Sequence, residues 1–158
     1  MIKKWPLIGM FAAFFLFSCV QNSAGLKDGY YTAEAAEFDD HGWKEYVTIY
    51  VSSGKILTVE YNAFNISGFI KSWDMDYMRI MNREDGIYPN AYARLYAGQL
   101  ISQQGVEGID SITGATNSYK VFKQLAGAAI ENARLGNSAI GFVTIAEAAE
   151  DVHQTGTN

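Results

Sequence analysis

One cysteine in 158 residues leaves no partner for an internal disulfide and no thiolate metal cluster. The two histidines, His41 and His153, stand far apart and form no metal site. The acidic pairs Asp39-Asp40, Asp74 with Asp76, and Glu84-Asp85 lack the spacing of a calcium loop and read as solvated faces. Haem attachment is excluded by the lack of a Cys-x-x-Cys-His sequence, so Met75, Met78 and Met81 read as core or partner-facing residues. No Gly-Lys pair marks a Walker loop, and no Rossmann glycine fingerprint precedes a helix. Positive charge is scarce too. The formal charge of −5 argues against nucleic acid as a partner.

What is present begins with a leader. Lys3 and Lys4 precede a strongly apolar run over residues 7–17, too short to cross a bilayer comfortably. The run ends in Leu16-Phe17-Ser18-Cys19, which resembles the cleavage box of a bacterial lipoprotein signal peptide. On that resemblance, residues 1–18 are removed and Cys19 becomes the lipidated first residue. The other reading is an ordinary signal peptide, or a buried helix with a stray cysteine. Cleavage before Cys19 removes two cations and no acid, taking the charge from −5 to −7. An anionic domain of this kind needs a covalent anchor to its membrane, not a basic patch. Residues 19–27 then read as a short polar tether.

The rest is long enough for one domain, expected over residues 28–145, with an acidic tail at 146–158. Residues 30–38, 43–51 and 56–62 are rich in β-branched and aromatic side chains and are separated by turn sequences. They predict an antiparallel meander. Residues 73–84 suit a helix of imperfect periodicity, and 63–72 fit no element. Pro89 suits the first turn of a second helix reaching Gln104, with Gly105 ending it. Val121, Phe122, Leu125, Ala129, Ile130 and Ala133 give the clearest apolar stripe and predict a helix over 118–134, stopped by Gly136. Residues 140–145 suit one last strand. The fold class is therefore α+β, an antiparallel sheet packed against helices.

Just before the third helix stands Asp110-Ser111-Ile112-Thr113-Gly114-Ala115-Thr116-Asn117-Ser118. Small residues admit a ligand close to the backbone, and the free N–H groups of a helix start favour an anion such as phosphate. Helix capping by Ser118 or Asn117 explains the same composition.

The segment resembles the flavinylation motif of the FMN-binding domain family, the covalent flavoproteins of the RnfG/NqrC type and related lipoproteins. Asp110, Thr113, Gly114, Ala115, Thr116 and Ser118 match that motif position by position, and the likeness extends over residues 28–135. It implies FMN joined through its phosphate to the Thr116 hydroxyl. A separate flavin transferase would make that bond, consuming FAD with magnesium and releasing AMP. Gly114 and Ala115 would leave room for the phosphate, and Thr113 and Ser118 would donate hydrogen bonds to it. Asp110 would brace the loop or help recognition by the transferase, or be a plain turn residue. Trp73, Tyr88, Tyr92, Tyr96, Leu57 and Tyr61 are candidates to lie against the ring. The function implied is that of an extracytoplasmic electron carrier, lipid-anchored to a bacterial membrane, with unidentified redox donor and acceptor proteins and no catalytic residues of its own. The alternative is a surface lipoprotein that binds a partner protein or small ligand without covalent flavin.

Overall fold

The computed structural model describes residues 25–146. The leader, Cys19, most of the tether and nearly all of the acidic tail lie outside those residues. Strands β1 (Gly29–Ala35), β2 (Lys44–Ser52) and β3 (Lys55–Phe64) form the expected antiparallel meander. A short strand β4 (Gly141–Val143) joins the free edge of β1, in parallel. The sheet order is β3-β2-β1-β4, so the sheet is mixed where the sequence predicted an antiparallel one. The parallel pairing follows from chain direction. A 20-residue helix carries the chain back along the sheet before β4 begins, and a crossover helix is the usual route to a parallel neighbour.

Strand β2 sets the two faces. Glu45, Val47, Ile49 and Val51 alternate inward and are buried, while Tyr46, Thr48 and Tyr50 face the other way. On that outer face Tyr30 stacks on Tyr50 with ring centroids 4.6 Å apart, and the hydroxyls of Thr32 and Thr48 lie 2.8 Å apart. Cross-strand pairs of this kind each contribute a few tenths of a kcal/mol, up to about 1.

Three helices complete the fold: α1 (Met75–Asp85), α2 (Pro89–Gln103) and α3 (Thr116–Leu135). Helix α2 packs on β3, and α3 on β1 and β2. Tyr96, Leu100, Phe122 and Leu125 meet Val47, Ile49 and Val51 in the core. Only part of the predicted face of α2 is used, since Leu95 is exposed. Its C-cap is Gln104, in a left-handed conformation at φ 57°. The Gln104 side chain then pairs with the backbone of Ile56 in both directions, which fixes the end of α2 to the start of β3.

The segment 63–72, unplaced from sequence, is a closed loop. β3 runs on to Phe64, and Asn65 Oδ1 accepts from the N–H groups of Ser67 and Phe69. Phe64 and Ile70 then bridge, and a 3-10 turn over Lys71–Trp73 leads into α1. This turn carries Lys71 beneath the sheet edge, where its side chain is buried.

Candidate functional site

The chain enters α3 through a turn that admits only glycine at one position. Ala115 N–H donates to Ile112 O at 2.9 Å, with Gly114 at φ 79° between them. A Cβ on Gly114 would lie 2.5 Å from Asp85 O, at the end of α1. The turn is held from below by Tyr96, which is fully buried. Its hydroxyl donates to Ala115 O at 3.0 Å and accepts from Ile112 N–H at 3.2 Å. Tyr119 O–H donates to Ile109 O at 3.0 Å. Gln99 clamps the backbone of Asp110, accepting from its N–H at 2.7 Å and donating to its carbonyl at 3.3 Å. Tyr96→Phe removes both bonds to the turn: Ala115 O keeps the Tyr119 N–H, while the half-buried Ile112 N–H is left without a partner among the described residues. We expect it to lower stability by about 1–3 kcal/mol, read by chemical denaturation.

The helix start itself is uncapped. Thr116 is the first helical residue, and the preceding Ala115 has no oxygen to offer. The expectation that Ser118 or Asn117 caps α3 is corrected: both lie inside the first turn. The N–H groups of Thr116, Asn117 and Ser118 have no acceptor among the described residues. A helix end of this kind favours an anion.

These groups line a cavity of about 800 Å³, within the range of small-molecule and cofactor sites. Gly114, Ala115, Thr116, Asn117 and Ser118 form one wall. Phe38, Trp43 and Tyr77 supply aromatic surface, and Glu45 and Lys71 supply buried charge. Glu37, Asp39, Asp40 and Asp85 make the lining acidic as well. Asp39 Oδ1 accepts from His41 N–H at 2.9 Å and from Trp43 N–H at 2.7 Å, which sets the loop that presents Trp43.

The motif residues divide. Gly114, Ala115, Thr116 and Ser118 meet at the cavity, and Thr116 is exposed. Asp110 and Thr113 are exposed and do not line it. The Asp110 side chain makes no hydrogen bond among the described residues, and the brace at that point is Gln99. None of the six expected ring partners lines this cavity either. Tyr96 and Tyr61 are core, Leu57 and Tyr88 are exposed, and Trp73 and Tyr92 line a smaller cavity of about 280 Å³.

Glu45 and Lys71 were not singled out from sequence, and they border both cavities. Lys71 Nζ lies 3.6 Å from Glu45 Oε1 and over the rings of Trp43 and Tyr77, at 5.8 and 5.3 Å. Burial pushes the Glu45 carboxyl above the usual range, against the pull of Lys71 and of the Tyr61 hydroxyl. Burial pulls the Lys71 ammonium down, but the surrounding Tyr92, Glu45 and Tyr77 outweigh it and hold it above its ordinary value. The Tyr61 hydroxyl lies 2.7 Å from Glu45 Oε2 and 3.1 Å from Ser118 O. It has one proton to give. When Glu45 is ionised, Tyr61 donates to it. When Glu45 is protonated, the carboxyl donates to Tyr61, which is then free to donate to Ser118 O. One signal of Glu45 was readable: it falls in step with Val47, Ile49 and Val51 on the apolar face of its strand.

No family model matches the chain. The 15 kDa lipoprotein of Treponema pallidum (strain Nichols) is 35% identical over 113 residues, covering 72% of this chain and 80% of that protein. The crystal structure of the CPE2226 protein of Clostridium perfringens superposes with a TM-score of 0.74 at 42% identity, covering 77% of this chain and 99% of that one. A solution NMR structure from Clostridium thermocellum gives a TM-score of 0.49 at 31% identity, over 68% of this chain and 92% of that one. These matches identify a lipoprotein and a fold; none identifies a flavin-binding family. At this identity and coverage, the chain belongs to the family of the 15 kDa lipoprotein.

Proposed function

We propose that this lipoprotein is lipidated at Cys19 and carries FMN through a phosphoester on Thr116, serving as an extracytoplasmic electron carrier. The observation that carries the reading is the uncapped start of α3 opening on a cavity of about 800 Å³. A phosphate there would meet three free N–H groups and the positive end of a 20-residue helix. Thr116 is exposed, so a modifying enzyme can reach its hydroxyl. Gly114 and Ala115 keep the approach narrow and free of bulk. Ser118 adds a hydroxyl within the first turn of the helix. Trp43, Tyr77 and Phe38 suit a planar ring, replacing the six residues expected from sequence.

When bound, the flavin supplies reversible uptake of electrons; the protein holds and shields it. The Lys71 ammonium gives the cavity a fixed buried cation, which favours added negative charge on a ligand. The carboxylates of Glu37, Asp39, Asp40 and Asp85 act in the opposite sense on a free anion. A covalent bond removes the need to hold such an anion by affinity alone.

The test is intact mass under denaturing conditions, on protein co-produced with an active flavin transferase supplied with FAD and magnesium. We expect the mass of FMN less water on the wild type and none on Thr116→Val. An unmodified wild type, beside a control protein that is modified, would remove the covalent link and leave either reversible flavin binding in the same pocket or a surface lipoprotein that binds a partner or ligand without flavin.

A further inference from the structure

We infer that the cavity mouth is held on the water side of the membrane, so that its partner presents itself from the aqueous phase and not as a carrier dissolved in the lipid. The inference rests on the lipid anchor at Cys19 but not on the flavin. Two independent features of the molecule carry it.

The first is where the tether meets the fold. Lys27 N–H donates to Ala133 O at 3.0 Å, and Lys27 Nζ to Leu135 O at 2.9 Å, at the C-terminal end of α3. Asp28 Oδ1 accepts from Gly54 N–H in the β2–β3 turn at 3.2 Å. The anchor therefore leaves from the pole that holds the end of α3 and the β2–β3 turn. The cavity lies at the other pole, where α3 starts, β1 ends and β2 begins. The 20 residues of α3 separate the poles by about 30 Å at 1.5 Å per residue. Leu26 is packed against the core. Six residues separate it from Cys19, so the chain between the two spans at most about 25 Å when fully extended. That length cannot run back past the domain, so the cavity pole cannot be turned face-on to the bilayer.

The second is charge. Four carboxylates, Glu37, Asp39, Asp40 and Asp85, gather at the cavity pole beside the paired Glu45 and Lys71. At the tether pole Lys27 and Lys55 outnumber Asp28. An anionic bilayer repels the first pole and attracts the second.

The mature chain contains its own reporters. Trp43 and Trp73 are the only tryptophans after Cys19, and both lie at the cavity pole. The experiment uses the lipidated full chain on phosphatidylcholine–phosphatidylglycerol vesicles carrying a dansyl headgroup lipid, and reads energy transfer from indole to dansyl. The reference is Leu57→Trp, near the start of β3, in a chain with Trp43→Phe and Trp73→Phe. We expect transfer from the native tryptophans to be severalfold weaker than from the reference indole. Inserting ten Gly/Ser residues after Asn22 should narrow that gap. Equal or stronger transfer from Trp43 and Trp73 would overturn the orientation. A chain that fails to float with the vesicles would overturn the anchor instead, and the inference with it. Neither result depends on flavin loading.

Discussion

Gly114→Ala should abolish FMN loading while leaving most of the fold in place. The left-handed backbone alone costs a non-glycine residue roughly 1–2 kcal/mol. The larger effect is steric. The new Cβ would meet Asp85 O at 2.5 Å and Ile87 Cγ2 at 3.0 Å. Asp85 O is a backbone atom at the end of α1, so it cannot swing aside as a long side chain would. Either α1 or the turn must move. Moving the turn displaces Ala115 and with it the free N–H groups of the first turn of α3. The control is Gly98→Ala, in the exposed part of α2, where a Cβ meets nothing within 4 Å and φ is ordinary. That change should raise stability by about 1 kcal/mol and leave loading intact. Intact mass after co-production with the transferase, with thermal melts of both variants, separates a lost site from a lost fold. Normal loading of Gly114→Ala would mean that the turn is not where the phosphate is held.

The parts of this molecule legible in sequence are those set by local period and by turn chemistry. The stripe from Val121 to Ala133 located α3, and Gly136, at φ 70°, stopped it as expected. The alternation along 43–51 located β2. Pro89 and Gly86 bracketed the joint between α1 and α2. What was not legible depends on contacts across the fold. Ser118 and Asn117 look like caps because capping is judged from neighbours in sequence. Their place inside the helix follows from the Gly114 turn and from Tyr96, 19 residues before Ala115, which binds its carbonyl. The expected ring partners, Trp73, Tyr88, Tyr92, Tyr96, Leu57 and Tyr61, do not line the cavity, which draws Trp43 from just before β2 and Tyr77 from α1, a pairing set by how α1 packs and not by any local pattern. Lys71 had no signal of its own. Its burial comes from the Asn65 loop and the Phe64–Ile70 bridge, which no short-range pattern encodes.

Lys71→Met should destabilise the protein strongly, and by an amount that depends on pH. Removing one member of a buried pair leaves the other uncompensated, at a cost of about 3–5 kcal/mol. Here the survivor is Glu45, already raised by burial and now without its main opposing charge. A carboxyl whose folded pKa is raised contributes stability in full below its unfolded value and loses it as pH rises through the folded value. In the wild type that loss runs upward from near 4.5, the ordinary value for Glu45. In Lys71→Met the folded value climbs further, so the fall in stability with pH becomes deeper and extends higher. Urea midpoints between pH 4 and 8, a range chosen to span that loss, should diverge from wild type toward neutral pH and converge toward acid. Lys71 acts at the other end. Its raised value means stability present below 10.5 and lost as pH rises through the folded value, and the substitution should flatten that alkaline limb. Adding Glu45→Gln to Lys71→Met should recover most of the loss at neutral pH, because no buried charge is then left alone. A divergence that stayed constant across pH would assign the effect to lost packing against Trp43 and Tyr77, and would remove Glu45 as its cause.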